Sequence, residues 1–365
     1  MTDIIQIQNV HYNVDELMVL CNAKVTNSKI QAWEKEIYLF IQDWFSQADS
    51  IIVSTSGSTG SPKKIELKKK HMVASAKATL SFFNLRKGDN AWLCLPVKYI
   101  AGKMMIVRSI VGDLNLLYSE PNSLPSIKEG EEVAFGAMVP NQVFGLLNIA
   151  TGKQQLLKIE NLLIGGAAIS DKLEDMLLAI PDIVAWHSYG MTETITHIAL
   201  RKISGNNRVI RYHTLKGINI STNNENQLIV DAPAIGVEKL VTNDIVDLFD
   251  DGTFNVIGRA DNVIVSGGVK LFPELIEKKM RHLISNSFFV GSIPDEKLGD
   301  QLILIVEGEV DDSNQPDMLM SKFKKNLDKF EVPKEIVYLS EFLRTETGKI
   351  MRQENIQHFL KGVKY

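Results

Sequence analysis

Between residues 92 and 187 short apolar runs alternate with amphipathic stretches, and no other feature of the chain constrains its fold as strongly. Residues 92–95, 114–118, 133–138, 161–164 and 183–187 read as strands, while 102–111, 142–149 and 170–178 read as helices. Strands returning through helices imply a parallel sheet covered on both faces, because each crossover helix must bury its apolar stripe against the sheet. Upstream, Ile30, Trp33, Ile37, Phe40, Ile41 and Trp44 fall at helical spacing within residues 28–46, the one clear helix expected before residue 50. Residues 70–85 also look helical and end at the turn 86–89. From about residue 208 the pattern shifts to short strands at 218–220, 228–230, 245–249 and 254–257, a small β-rich subdomain. Beyond Asp261 a mixed pattern resumes, with helices expected from Pro273, around 316–329, and over 350–361.

A chain of 365 residues is long for one core. The change of pattern divides it into an N-terminal α/β body, residues 1–260, and a small α+β C-terminal domain, residues 261–365. A net charge of −4 argues against nucleic acid as a partner, and the basic run Lys68-Lys69-Lys70 reads as the solvated start of a helix. The two cysteines, Cys21 and Cys94, cannot build a disulfide framework and suit a reducing compartment. No apolar run reaches membrane-spanning length and no basic-then-apolar leader is visible, so a cytoplasmic protein without a membrane partner is expected. Composition says nothing about oligomeric state.

Six short segments carry candidate chemistry. At residues 51–64 a β-branched run enters Thr55-Ser56-Gly57-Ser58-Thr59-Gly60-Ser61-Pro62-Lys63. Glycines let the backbone form an anion nest, hydroxyls add donors, and the lysine adds a mobile charge. The alternative is a solvated turn. A Walker A loop is excluded, because its spacing fails from both Gly57 and Gly60. Directly after the expected strand 183–187 come Ser188-Tyr189-Gly190-Met191-Thr192-Glu193-Thr194. There a hydroxyl, a carboxylate and an aromatic face would stand at the carboxyl end of a sheet, though Thr192-Glu193 also suits a helix N-terminus. Gly165, Gly166, Ala167 and Ala168 leave room for a flat ligand or for close helix–strand packing. Asp244, after a strand, suits ribose hydroxyls or an ordinary turn. Last come the segment from Gly258 and Arg259 through Asp261, Ser266, Gly267 and Gly268 to Glu277, and Gly348-Lys349, whose lysine is a mobile cation or a surface charge.

Taken in order, these segments resemble the adenylate-forming superfamily of acyl-CoA synthetases, luciferases and peptide-synthetase adenylation domains. Residues 55–63 match its T-S-G-[ST]-T-G-x-P-K signature, and residues 189–193 match Y-G-x-T-E. Residues 258–277 match the G-R-x-D segment through P-x-E-I-E, with leucine at 275, and Gly348-Lys349 matches the lysine motif. The resemblance runs from about residue 50 to 352 and implies the adenylate-forming fold, with a body shortened ahead of the phosphate loop and a mobile C-terminal domain hinged at Asp261. It implies an acid–thiol ligase that makes an acyl-adenylate from ATP, releases pyrophosphate, and passes the acyl group to CoA, with Mg²⁺ required.

By that resemblance Thr55, Ser56, Gly57, Ser58, Thr59, Gly60 and Lys63 would hold the departing phosphates. Gly165, Gly166, Ala167 and Ala168, with Ser188, Tyr189 and Gly190, would line the adenine pocket. Thr192 would contact the α-phosphate, Glu193 would bind Mg²⁺, and Asp244 and Arg259 would hold the ribose. Lys349 would bridge the acyl carboxylate and α-phosphate, and Ser266, Gly267 and Gly268 would face the pantetheine arm of CoA. Two positions depart from the pattern: Asn243 stands where glycine is usual, and Tyr99 where histidine is usual.

The acid is read from residues 99–108 and 187–197, which are similar to o-succinylbenzoate–CoA ligases of menaquinone synthesis. A substrate with a second carboxylate needs a cation for it, and Arg108 suits a bidentate role better than Lys103. Tyr99 and Gly102 would line the acyl tunnel, and His197 is a polar wall or a satisfied buried histidine. The alternatives are a CoA ligase for another aromatic or medium-chain acid and a non-catalytic nucleotide-binding paralogue. The presence of Lys349, Glu193 and Asp244 speaks against the latter.

Overall fold

The structure, a computed structural model, describes residues 4–54, 64–312, 314–345 and 350–362. Among these, nine strands form one sheet, in the order His213–Thr214, His197–Lys202, Ala185–Gly190, Ile159–Ile164, Val133–Met138, Asn90–Leu93, Asn115–Tyr118, Ile5–Ile7 and Val10–Tyr12. From Ala185–Gly190 to Ile5–Ile7 neighbouring strands are parallel, and antiparallel strands close both edges. Both faces of the sheet are covered. Leu93, Phe135, Ala137 and Leu163 face the helices Lys69–Phe82 and Ile100–Gly112, whereas Trp92, Met138, Leu162 and Ile164 face Pro140–Leu147 and Asp171–Leu178. Alternate residues of one strand enter opposite cores, which is why these strands read as nearly continuous apolar runs.

The α/β body with a β-rich part and a smaller α+β C-terminal part is the architecture expected from the sequence, and the differences lie in particular elements. Residues before 50 hold two helices, Val14–Thr26 and Ala32–Phe45, instead of one. The first buries only Leu17 and Cys21 completely, so its apolar stripe is faint. Its start was nevertheless written in Asn13 and Glu16, whose side chains cap each other's backbone at 2.9 Å. The strand expected at 183–187 is Ala185–Gly190, so Ser188, Tyr189 and Gly190 belong to the strand and do not follow it. Asp244 likewise sits inside the twelve-residue strand Val237–Leu248, opposite Arg259, and not after a strand. Register shifts on both sides of that strand carry it past its turn-like Thr-Asn-Asp sequence.

A four-stranded antiparallel sheet, Asn219–Thr222, Gln227–Ala232, Val237–Leu248 and Phe254–Arg259, sits beside the body. The single turn Ala260–Asn262 leads from it into a five-stranded sheet. That sheet has cores of its own, around Ile276, Met280 and Phe323 on one side and Phe289, Ile303 and Val337 on the other. No helix among the described residues is long and apolar enough to cross a membrane.

Candidate functional site

Parallel strands deliver their following loops to one edge of the sheet, where the segments after Ile159–Ile164 and at the end of Ala185–Gly190 come together. Gly165 leaves Ile159–Ile164 with its N–H donating to Met138 O at 3.0 Å. A Cβ at Gly165 would lie 2.3 Å from Ser188 Oγ, so any side chain there would force that hydroxyl to turn away. Ser188 Oγ donates to Ile164 O at 3.2 Å. The next turn is held by His187, whose Nε2–H donates to Ala167 O at 3.2 Å while Nδ1 accepts the Tyr212 hydroxyl at 2.6 Å. Burial pushes the His187 imidazole down to about 4, so it is neutral near pH 7 and carries its proton on Nε2.

Four residues from three distant segments meet beside this turn. The Tyr189 hydroxyl donates to Asp244 Oδ2 at 2.5 Å, and Arg259 Nη1 approaches Asp244 Oδ1 at 3.5 Å. Arg259 also grips Asp261 with Nε and Nη2, each at 2.9 Å. One carboxylate is thus ordered by a phenol and a guanidinium while its remaining lone pairs stay available to hydroxyl donors. The Tyr189 ring is set edge-on against Phe254 at 5.2 Å.

The segment after Gly190 closes through a strained turn. Ile195 has φ +68° and ψ −61°, and Thr196 N–H donates to Thr194 O at 2.7 Å, the geometry of a γ-turn with positive φ. For a β-branched residue this costs about 1–3 kcal/mol. Packing holds it, since Ile195 is 1% exposed. The Thr194 hydroxyl accepts Met191 N–H at 3.0 Å and lies 2.8 Å from Thr196 O, so Thr194 and not Thr192 does the capping. Thr192 is left half-buried and Glu193 exposed at one end of the turn, with Thr196 and His197 at the other. Gly190 is required here as well, because a Cβ would lie 2.2 Å from Thr196 O.

Beyond the turn lies a buried cation. Arg108 is 2% exposed, and among the described residues no carboxylate reaches it. Its Nε donates to Thr79 Oγ1 at 3.2 Å, its Nη2 to Thr196 Oγ1 at 3.4 Å, and its guanidinium lies 5.8 Å from the Phe135 ring centre. Burial lowers its pKa only to about 10, so it stays charged at neutral pH. His197 Nε2 shares Thr79 Oγ1 at 3.2 Å, and burial together with the Arg108 charge holds its pKa well below the usual range. Lys103 turns elsewhere, its ammonium 4.8 Å from the Phe40 ring and within the field of Asp43 and Glu36. Tyr99 occupies the N-cap position of the helix Ile100–Gly112, its ring centre 4.9 Å from Lys98 Nζ. Gly102 is dictated by packing, since a Cβ there would lie 2.5 Å from Pro96 O.

Several residues around Arg108 escaped the sequence reading. Thr79 and Ser75 lie on the stripe Met72, Ser75, Ala76, Thr79, the buried face of a helix. Two hydroxyls on an apolar stripe were the available signal. Phe83 and Trp186 extend the wall from Phe135, with ring centres 5.0 Å and 5.8 Å apart along the series. Nothing in their spacing distinguishes them from ordinary core aromatics.

In the C-terminal part, Gly267 and Gly268 adopt φ +57° and +81° in an exposed two-residue hairpin turn beside Ser266. Thr55, Ser56, Gly57, Ser58, Thr59, Gly60, Lys63 and Lys349 lie outside the described residues. Their flanks are described: Ser50–Ser54 pairs with Lys64–Lys68, and Arg344 bridges Ile350. Among the described residues no group of three or more His, Cys, Asp or Glu could hold a metal ion. A single exposed carboxylate such as Glu193 nevertheless fits Mg²⁺, which takes one or two carboxylates and completes its shell with phosphate and water.

A family model described as AMP-binding enzyme matches residues 14–234. The chain is 25% identical to the 2-succinylbenzoate–CoA ligase of Listeria monocytogenes over 86% of this chain and 71% of that protein. It is 24% identical to that of Bacillus cereus strain Q1 over 94% of this chain and 79% of that protein. A crystal structure of an acyl-CoA synthetase (AMP-forming)/AMP-acid ligase II-like protein from Dyadobacter fermentans superposes with a TM-score of 0.62 at 31% identity, covering 93% of this chain and 98% of that one. The o-succinylbenzoate coenzyme A synthetase of Bacillus subtilis, in complex with ATP and magnesium ion, superposes with a TM-score of 0.66 over 84% of this chain and 69% of that one. At 18% identity, the latter is a likeness of fold.

Proposed function

The chain belongs to the AMP-binding enzyme family, and from that premise we propose that it is an ATP-dependent carboxylate–CoA ligase whose acid is o-succinylbenzoate. A carboxylate oxygen attacks the α-phosphorus of ATP, the bond to pyrophosphate breaks, and an acyl-adenylate forms. A CoA thiolate then attacks the acyl carbonyl and AMP departs with the bonding electrons. Both substrates of the first step are anions, so the site must supply cations and preorganised donors.

In this reading the loop 165–168 and Tyr189 receive the adenine, and Asp244 accepts from the ribose hydroxyls with Arg259 beside it. Thr192 donates to the α-phosphate, and Glu193 contributes a ligand to Mg²⁺, which when bound offsets phosphate charge. Thr55, Ser56, Gly57, Ser58, Thr59, Gly60 and Lys63 grip the pyrophosphate portion, and Lys349 bridges the two reacting anions. Asp261 is the hinge about which residues 261–365 turn between half-reactions, bringing Ser266, Gly267 and Gly268 to the pantetheine arm.

The observation that carries the choice of acid is Arg108, a buried guanidinium with hydroxyl partners and, among the described residues, no counter-anion. Burying an unpaired cation is costly, and a substrate carboxylate would relieve that cost. The names of the relatives point the same way. The test is a panel of acids with ATP, Mg²⁺ and CoA, read as thioester by mass. Thioester from o-succinylbenzoate is expected. Thioester from benzoate or octanoate alone would redirect the assignment to another aromatic or medium-chain acid, and acid-independent silence would favour a nucleotide-binding protein.

A further inference from the structure

We propose that Thr79 is a positioning residue that sets specificity for a dicarboxylic acid by holding Arg108 with a hydroxyl in place of a carboxylate. This inference rests on the reading of Arg108 just given. A buried arginine is ordinarily neutralised by an acidic neighbour. Here the Nε–H meets Thr79 Oγ1 at 3.2 Å, and a second hydroxyl, Thr196 Oγ1, takes Nη2 at 3.4 Å. Hydroxyls fix the plane of the guanidinium without cancelling its charge. An aspartate at either position would already occupy the donors that a substrate carboxylate needs and would repel that carboxylate.

The cradle is itself braced. Thr79 Oγ1 lies 3.3 Å from Ser75 O and 3.2 Å from His197 Nε2, so it can donate one bond and accept two. Ser75 Oγ and Thr196 Oγ1 are 2.9 Å apart, tying the helix Lys69–Phe82 to the segment that follows the Ile195 turn. Of the five guanidinium N–H groups two are engaged by these hydroxyls, which leaves enough for a bidentate carboxylate. His197 faces the same oxygen without charge, so the group recognised is a single carboxylate beside one fixed cation.

Thr79→Val removes the acceptor while keeping the shape. Full-length wild type, Thr79→Val, Thr79→Ser, Arg108→Gln and the double variant are assayed for thioester formation with o-succinylbenzoate, with KM for acid and for ATP measured separately. Thr79→Val is expected to raise KM for the acid about tenfold and to leave KM for ATP within about twofold. Thr79→Ser should restore the acid KM, and the double variant should be no worse than Arg108→Gln alone, because the hydroxyl acts through the guanidinium. Equal rises in both KM values, no rise at all, failure of Thr79→Ser to rescue, or additive losses would each overturn the inference. Should Arg108→Gln weaken the acid while Thr79→Val does not, only the role of Thr79 falls. If Arg108→Gln leaves the acid KM untouched, or wild type makes no thioester from o-succinylbenzoate, the assignment of the acid falls with it.

Discussion

The Tyr189 hydroxyl donates to Asp244 Oδ2 at 2.5 Å across 55 residues of chain, and this bond joins the end of the central sheet to the four-stranded sheet beside it. Burial first, and the Asp244 charge second, push the Tyr189 phenol up from its ordinary value, so it remains a donor across the working pH range. The carboxylate that would face the ribose is thereby oriented before nucleotide arrives.

Asp244→Asn is expected to raise KM for ATP about tenfold, the scale of one hydrogen bond to a charged group. Tyr189→Phe should do the same to a smaller degree, and neither should alter KM for the acid. Acid-dependent pyrophosphate release, with each substrate varied in turn, checks this. Parallel losses for acid and ATP would make the pair a structural strut.

Protonation of His187 should make the protein acid-sensitive. Its folded pKa, about 4, lies below the ordinary value of 6.5, so between those values the unfolded chain binds more protons. Stability therefore falls as pH drops from 6.5 towards 4, by at most roughly 3 kcal/mol from this group. His197, displaced in the same direction, adds to the slope. In urea melts at several pH values, His187→Gln should show a shallower decline over that range than wild type. An unchanged slope would mean that the imidazole charges without opposing the fold.

Close to Lys349 in sequence, Arg352 forms a fork on Glu277, with Nη1–Oε1 at 2.5 Å and Nη2–Oε2 at 2.8 Å, and also donates to Val290 O at 3.1 Å. Glu277 is buried, so removing Arg352 strands a charge at a cost of about 3–5 kcal/mol. Lys349→Ala is expected to abolish adenylation while sparing thioester formation from supplied acyl-adenylate. Arg352→Met should lower the melting temperature and weaken adenylation more than the second step. Equal loss in both half-reactions for Lys349→Ala would remove that lysine from the chemistry.

Much of the fold was legible because its causes are local. The strand at 133–138 coincides with Val133–Met138, and Ser170 announced the helix Asp171–Leu178 by capping Leu173 N–H at 3.2 Å. Proline opens both Pro273–Met280 and Pro316–Asn326, where its missing N–H costs nothing. The helix Val14–Thr26 was missed because an apolar pattern is weak where little is buried. Asp244 was misplaced because Thr-Asn-Asp reads as a turn when its strand partners are unknown.

The candidate site divides along the same line. Order and spacing of the glycine, hydroxyl and lysine motifs carried the resemblance to the adenylate-forming superfamily, and it was that resemblance that implied the class of chemistry. Whether Arg108 is a solvated helix charge or a buried cation held by hydroxyls, with no carboxylate reaching it among the described residues, was decided only by the tertiary structure. Its partners, Thr79 and Thr196, lie 29 and 88 residues away, and Thr79 meets His197 across 118. Helical periodicity tells which face of Lys69–Phe82 is buried, but only the packing of three separate elements tells what that face touches.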